Sequence, residues 1–138
     1  TGGVEVMRVA LDTSAYSAAA RGHRALREAI EQAEEVWMAS IAIGELLYGF
    51  RRGGLKAENR RKFEAFLSSP CVAVASIDGT TAEHYAAIKS ALRESGAPIP
   101  SNDLWIAASA MQHGLKLLTT DRHFNRVGQI LVECFEVE

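Results

Sequence analysis

The stretch from Arg8 to Asp12 reads RVALD, a short apolar run that ends at a carboxylate. The stretch from Lys116 to Asp121, KLLTTD, repeats this arrangement near the other end of the chain. Short and nearly continuous apolar runs are typical of buried β-strands. An acid that follows such a strand is often a helix N-cap, so each aspartate has a structural interpretation beside a functional one. Two strands, each followed by an acid, are therefore predicted.

Three more apolar runs of strand length alternate with helical patterns. The additional predicted strands are Val36 to Ala39, Val72 to Ile77 and Ile130 to Phe135. Apolar residues spaced i, i+3, i+4 and i+7 predict amphipathic helices between the strands. Such stripes occur at Leu26, Ala29, Ile30 and Ala33, at Ile43, Leu46, Leu47 and Phe50, and at Leu104, Ala107, Ala108 and Met111, with shorter ones beginning at Phe63 and Tyr85.

Local chemistry marks several helix boundaries. Thr80 and Glu83 have capping-box spacing, which predicts the start of a helix there. Gly53, Gly96 and Gly114 stand where helices should end. Strands that alternate with helices predict an α/β fold, here a single-domain, three-layer α/β/α arrangement whose parallel sheet is covered on both faces. In such sheets the carboxyl ends of the strands share one edge, and Asp12 and Asp121 should both lie there.

The length of 138 residues fits one domain. Residues 1–6, which begin Thr1-Gly2-Gly3, read as a remnant ahead of the native start or as a disordered N-terminus. We therefore expect one domain that spans residues 7–138. No apolar run has the length needed to cross a bilayer, so no membrane partner is expected.

Charge and cysteine content leave several functions open. The net charge of −2 argues mildly against a general nucleic-acid binder, although the surface becomes slightly basic if four acids are gathered in one site. Cys71 and Cys134 show no ligand spacing and are far apart in the chain. They are interpreted as small buried residues of a protein in a reducing compartment, for which the cytoplasm is the default.

Two further acids stand in unusual surroundings. Asp103 precedes a helix that is apolar almost all round, so the helix N-terminus should point into the domain. Helix capping, or a favourable negative charge at the N-terminal end of the helix dipole, is the alternative. Glu45 has Ile41, Gly44 and Tyr48 as its helical neighbours. A glutamate in that setting is seldom buried without a partner, and an exposed helix edge or an ion pair is the alternative.

The candidate site consists of four carboxylates: Asp12, Glu45, Asp103 and Asp121. Carboxylates that lie close together in a dry site repel one another, so folding alone gives no reason to gather them. A divalent cation removes this objection. Oxygen ligands without cysteine or histidine spacing favour Mg²⁺ or Mn²⁺ over zinc.

Four blocks of the chain resemble the PIN-domain nucleases, and within them the VapC-type toxins of toxin–antitoxin pairs. The blocks are Asp12-Thr13-Ser14, Ile43 to Leu46 with Tyr48-Gly49, Asn102 to Ala108 (NDLWIAA), and Leu118 to Phe124 (LTTDRHF). The resemblance extends from Met7 over nearly the whole chain. It implies a sheet in the order 3-2-1-4-5, Mg²⁺- or Mn²⁺-dependent endoribonuclease activity, a homodimer, and an antitoxin that blocks the site.

The hypothesis is hydrolysis of an RNA phosphodiester by water that a cation activates. Asp12, Asp103 and Asp121 would hold the cation, and Glu45 would complete the site or orient the water. Three polar neighbours could hold the carboxylates in place by hydrogen bonds: Thr13, Asn102 and Thr119. Hydrogen bonds that only cap helices or close turns are an equally good explanation of these residues. Three residues could contact RNA: Arg51, Arg52 and His123. A solvated surface is the simpler interpretation of these side chains.

Two rival functions were weighed. A phosphatase of the haloacid-dehalogenase type also carries an aspartate after its first strand, but it needs a second acid two residues later, where this chain has Ser14. A catalytically inactive domain that binds RNA or a protein is the non-enzymatic alternative. The presence of all four acids argues against it.

Overall fold

The computed structural model describes residues 7–137, so the proposed N-terminal extension at 1–6 lies outside the described residues. The strands are β1 (Arg8–Leu11), β2 (Glu35–Ala39), β3 (Val72–Ala75), β4 (Lys116–Thr119) and β5 (Val132–Cys134). The α-helices are α1 (Thr13–Ala20), α2 (Arg24–Gln32), α3 (Ser40–Arg52), α4 (Lys56–Leu67), α5 (Gly79–Glu94) and α6 (Ser101–His113). A short 3₁₀ helix spans Arg122–Arg126 between β4 and β5.

The five strands form one parallel sheet in the order β3-β2-β1-β4-β5, which confirms the predicted architecture. The chain builds outward from β1 to β3 and then returns to the other side of β1. Because crossovers between parallel strands are right-handed, this reversal directs α1–α4 and α5–α6 to opposite faces of the sheet. The reversal lies between β1 and β4, the point at which parallel sheets bind ligands beside their carboxyl ends.

The central strands are buried, as their continuous apolar sequences predict. Leu11 and Leu117 are fully inaccessible, and Val9 and Leu118 are 1% exposed. Helix α6 is buried along most of its length, from Leu104 to Ala110. Its first turn is more open than predicted: Ser101 and Asn102 are exposed and Asp103 is half-buried, so the N-terminus does not point into the domain.

The structure corrects four local predictions. Strand β3 ends at Ala75 rather than Ile77, because the chain turns toward the cap of α5. The capping box of α5 uses Asp78 and Thr81, not Thr80 and Glu83: the Asp78 carboxylate accepts the Thr81 N–H, and the Thr81 hydroxyl accepts the Asp78 N–H.

The other two differences concern strand β5 and helix α1. Strand β5 is shorter than predicted, from Val132 to Cys134, because its only neighbour, β4, ends at Thr119 opposite Cys134. Helix α1 carries no strong apolar stripe and was not among the predicted helices. Within residues 7–137, none of the helices combines the length and the apolar character that crossing a membrane would require.

Candidate active site

Asp12 lies at the carboxyl end of β1 and is 4% exposed. Its carboxylate caps α1 by accepting the N–H of Ala15 over 2.9 Å, so the capping interpretation is correct. The same carboxylate accepts hydrogen bonds from the hydroxyls of Ser14 and Thr119. Burial raises the pKa of Asp12 despite these donors, and the negative charge of Asp121 raises it further. The cap is thus also part of a negatively charged cluster.

Asp103 lies in the first turn of α6, where it faces the other acids. Partial burial and, after it, the charges of Asp121, Asp12 and Glu45 together raise the pKa of its carboxyl from 3.8 to about 6. His123 is close enough to lower this pKa in part. No side chain caps α6, since Pro100 precedes it, so the capping alternative for Asp103 is not what the structure shows. The structure therefore brings all four acids into one electrostatic cluster.

Glu45 is half-buried on α3 and is held by the two polar neighbours that the sequence singled out. The Thr13 hydroxyl donates to Glu45 Oε1 over 2.5 Å, and the Asn102 side-chain amide donates to Oε2 over 3.2 Å. Thr13 begins α1 and Asn102 lies in the first turn of α6. One carboxylate therefore connects three helices, and both of its oxygens have a fixed direction.

Thr119 and Asp121 organise the carboxyl end of β4. Thr119 is inaccessible, and its hydroxyl donates to Asp12 Oδ2 over 2.8 Å while it accepts the N–H of Asp121 over 2.9 Å. Asp121 caps the 3₁₀ helix by accepting the N–H of His123 over 2.9 Å. The sequence-based choice of Thr13, Asn102 and Thr119 thus identified three residues that contact the acids.

Ser14 is the site residue that the sequence reasoning missed. Its hydroxyl lies 2.8 Å and 2.9 Å from the two Asp12 carboxylate oxygens and accepts the N–H of Thr120 over 3.0 Å. It was considered only as the place where a phosphatase would carry an acid. A small hydroxyl two residues after a strand-ending aspartate is a spacing that favours such a local hydrogen bond, and it was the available signal.

The predicted RNA-contacting arginines lie farther along α3. Arg52 is exposed, and its guanidinium lies 5.6 Å from the centre of the Tyr48 ring. Arg51 borders a surface recess of about 430 Å³ together with Lys56 and Arg60. Neither arginine has a hydrogen bond or ion pair with the four acids in the described part of the chain. Their contact with RNA stays a prediction.

The donor set suits a hard divalent cation. Carboxylates from four segments of the chain converge, and their mutual repulsion adds to the effect of burial in raising the pKa of Asp103. One oxygen each from Asp103 and Asp121 and one ring nitrogen of His123 can all lie within 4.8 Å of one another. Such a group of ligands fits Mg²⁺ or Mn²⁺.

Comparison with known proteins agrees with this geometry. The family model of the PIN domain matches residues 9–130. The chain belongs to the PIN domain family. This PIN domain is 30% identical over 128 residues to ribonuclease VapC5 of Mycobacterium tuberculosis, an alignment that covers 92% of this chain and 93% of the relative. It is 31% identical over 97 residues to the tRNA(fMet)-specific endonuclease VapC of Shigella flexneri, covering 70% and 72% of the two chains.

Solved structures agree with this assignment. The DNA-bound VapBC structure from Salmonella typhimurium matches with a TM-score of 0.81 and 27% identity, over 92% of this chain and 97% of the other. The VapBC2 structure from Rickettsia felis, bound to a promoter DNA fragment, matches with a TM-score of 0.79 and 25% identity. That match covers 92% of this chain and 98% of the other. The chain is therefore a VapC-type PIN domain, as its four sequence blocks predicted.

Proposed function

We propose that this PIN domain is a divalent-metal-dependent endoribonuclease and the toxin of a toxin–antitoxin pair. The convergence of four carboxylates at the carboxyl edge of the sheet is the observation that carries the proposal. The names of the relatives, ribonuclease VapC5 and tRNA(fMet)-specific endonuclease VapC, support the same activity and substrate class. The RNA that this chain cuts is not specified by those names.

The four acids have separate tasks in this proposal. Asp12, Asp103 and Asp121 hold the cation, and Mg²⁺ or Mn²⁺ fits their oxygen ligands. When bound, the cation supplies charge neutralisation for the scissile phosphate and the leaving oxygen, and it lowers the pKa of the attacking water. Glu45 orients that water, since Thr13 and Asn102 fix both of its oxygens.

Hydroxyl groups hold the carboxylates of the site in position. Ser14 and Thr119 donate to Asp12, so its lone pairs are directed and its side chain is immobilised. The Thr119 hydroxyl also accepts the main-chain N–H of Asp121, so it fixes the position of Asp12 relative to Asp121. Preorganisation of this kind removes the cost of reorienting the carboxylates during the reaction.

Attack by water on the phosphorus breaks the bond to the 3′-oxygen of the preceding nucleotide. The products should then carry 5′-phosphate and 3′-hydroxyl ends, and the ribose 2′-hydroxyl takes no part as a nucleophile. A nuclease that used the 2′-hydroxyl would instead leave a cyclic phosphate. The chemistry of the ends therefore distinguishes the two routes.

The proposal includes partners and location. An antitoxin would cover the site, which the VapBC complexes among the similar structures support. A homodimer is proposed from the family resemblance, and Arg51, Arg52 and His123 are proposed RNA contacts. The prediction that both cysteines are buried is wrong, since Cys71 is exposed and Cys134 is half-buried. Both are free thiols, which fits the proposed reducing cytoplasm.

The test is cleavage of RNA by purified protein with Mg²⁺ or Mn²⁺ and with EDTA, with the product ends mapped. We expect cleavage to stop with EDTA and to fall at least about hundredfold in Glu45→Gln. The control is Glu83→Gln, which makes the same change at an exposed position on α5. Metal-independent cleavage, or equal loss in both variants, would contradict the proposal. RNA that is bound but never cut would favour the inactive binding domain.

A further inference from the structure

A ring nitrogen of His123 lies among the carboxylates, although the sequence predicted a site with oxygen ligands alone. Its Nδ1 lies 3.1 Å from Asp121 Oδ1, and the same ring belongs to the only group of potential metal ligands found within residues 7–137. The other members of that group are Asp103 and Asp121. The imidazole therefore adjoins two of the three acids of the site that are not fully buried.

The local backbone holds His123 in this place. Asp121 caps the 3₁₀ helix by accepting the His123 N–H, so the main chain fixes the two residues relative to each other. The side chains of His123 and Asp121 are 46% and 35% exposed. Both side chains remain in contact with water in the metal-free protein, so an ion from solvent can reach them.

We propose that His123 Nδ1 is a ligand of the divalent cation, beside the carboxylates of Asp103 and Asp121, and that it makes the site selective for Mn²⁺ over Mg²⁺. The inference rests on the proposed function and specifies the cation of the same site. Two ligands at right angles on an ion, with bonds of about 2.1 Å, lie about 3.0 Å apart. The measured separation of 3.1 Å between His123 and Asp121 is close to that value.

Ligand chemistry gives the direction of the selectivity. Mg²⁺ prefers oxygen ligands and retains several waters, whereas transition-metal ions accept imidazole more readily. A histidine in the ligand set therefore adds more to the affinity for Mn²⁺ than to the affinity for Mg²⁺. A site made of carboxylates alone has no such contribution.

Two other roles for His123 would leave different signatures. The imidazolium could simply pair with Asp121, in which case it would orient the acid without contacting the ion. The ring could instead contact only the RNA and not the cation. In both cases a metal-loaded protein without RNA would contain no nitrogen bound to the cation.

The experiment is pulsed EPR of the Mn²⁺-loaded protein without RNA at about pH 8, where histidine ligands are deprotonated. Electron spin-echo modulation detects a ¹⁴N nucleus bound directly to Mn²⁺. We compare the wild type, His123→Ala and His84→Ala; the last removes a histidine from α5, which carries none of the four acids. Mn²⁺ and Mg²⁺ affinities of the three proteins are measured by calorimetry.

We expect a ¹⁴N coupling in the wild type and in His84→Ala, and its loss in His123→Ala. The Mn²⁺ affinity of His123→Ala should fall about tenfold, and the Mg²⁺ affinity should fall less. A wild type that binds Mn²⁺ without a ¹⁴N coupling would overturn the histidine assignment and leave the carboxylate site intact. A wild type that binds neither ion would overturn this inference together with the metal dependence of the proposed function.

Discussion

Thr119 and Asp12 are separated by 107 residues in the chain and joined by a hydrogen bond of 2.8 Å. The bond crosses from β4 to the end of β1, and the same Thr119 oxygen accepts the N–H of Asp121. Because Thr119 is inaccessible, solvent cannot replace either bond. One hydroxyl thus connects an acid from each end of the chain.

The first prediction concerns this hydroxyl. Thr119→Val keeps the shape of the side chain but removes both hydrogen bonds, so the free energy of unfolding should fall by about 1–3 kcal/mol. The rate of RNA cleavage should also fall, by about tenfold, because Asp12 and Asp121 lose their connection. Thr119→Ser retains the hydroxyl and should stay near wild-type activity. Equal rates in the two variants would mean that the hydroxyl does not organise the acids.

Asp12→Asn should abolish cleavage without weakening the metal-free fold. Asparagine caps helices as well as aspartate does, so the bond from Ala15 can persist. The substitution also removes a buried negative charge close to Asp121. Urea denaturation in EDTA should therefore give equal or higher stability. Asp12→Ala, which removes the cap as well, should lose about 1 kcal/mol. Destabilisation of Asp12→Asn by as much as Asp12→Ala would argue for a purely structural aspartate.

The pKa of Asp103 predicts how stability depends on pH in the metal-free protein. The pKa is about 6 in the folded state, against 3.8 for the unperturbed group. Between these values the folded protein binds more protons than the unfolded chain, so the free energy of unfolding falls as the pH rises from about 4 to 6. Asp103→Asn should flatten this slope. Some slope should remain, because the pKa of Asp12 is also raised.

The measurement is a series of denaturant titrations across this pH range, with EDTA and again with Mg²⁺. Because the cation stabilises the charged form, Mg²⁺ should restore stability above pH 6 in the wild type. The same addition should have a smaller effect in Asp103→Asn. A wild-type stability that rises with pH in EDTA would show that the carboxylates do not repel one another as the structure indicates.

Ser14→Ala tests the residue that the sequence reasoning overlooked. The change removes the hydroxyl that donates to Asp12 and accepts the Thr120 N–H. We expect a loss of about 1 kcal/mol in stability and a decrease of about tenfold in cleavage rate. Ser90→Ala, on the exposed side of α5, is the matched control and should change neither. A Ser14→Ala protein with wild-type kinetics would remove Ser14 from the proposed mechanism.

Ser109→Ala should stabilise the protein. The Ser109 hydroxyl is buried in α6 and is the only buried side-chain polar atom without a hydrogen-bond partner among the described residues. Alanine removes this unsatisfied group and has the higher helix propensity, so the free energy of unfolding should rise by about 0.5–1 kcal/mol. Thermal denaturation measures the change, and RNA cleavage should be unaffected. A lower melting temperature would indicate a hydrogen bond from Ser109 that the structure does not contain.

The strands and the positions of the acids could be predicted from the sequence because they depend on short apolar runs and on the ends of those runs. The run before Asp12 and the run before Asp121 are buried strands, and the apolar helix after Asp103 is buried as predicted. Family resemblance added the strand order, which periodicity could not supply. Glu45 was identified because nothing nearby in sequence explained a glutamate in that setting.

Side-chain contacts that depend on tertiary geometry were harder to predict. The capping box of α5 moved to Asp78, because two hydroxyl-bearing threonines follow one another and only the fold decides which one faces the cap. His123 was not predicted beside Asp103, because Asp103 lies on another element and only Asp121 is near His123 in sequence. Helix α1 has few large apolar residues, so its helical character is evident only from its packing.

The adjacency of β1 and β4 also bears on how the enzyme is made. A ribosome adds about 5–20 residues per second, so roughly 5–20 s pass between the synthesis of Asp12 and that of Thr119, 107 residues later. During this interval the nascent chain holds Asp12 but lacks the strand that completes its surroundings. An incomplete nascent chain therefore lacks the full cluster of acids, and fragments that end before Thr119 should not cleave RNA.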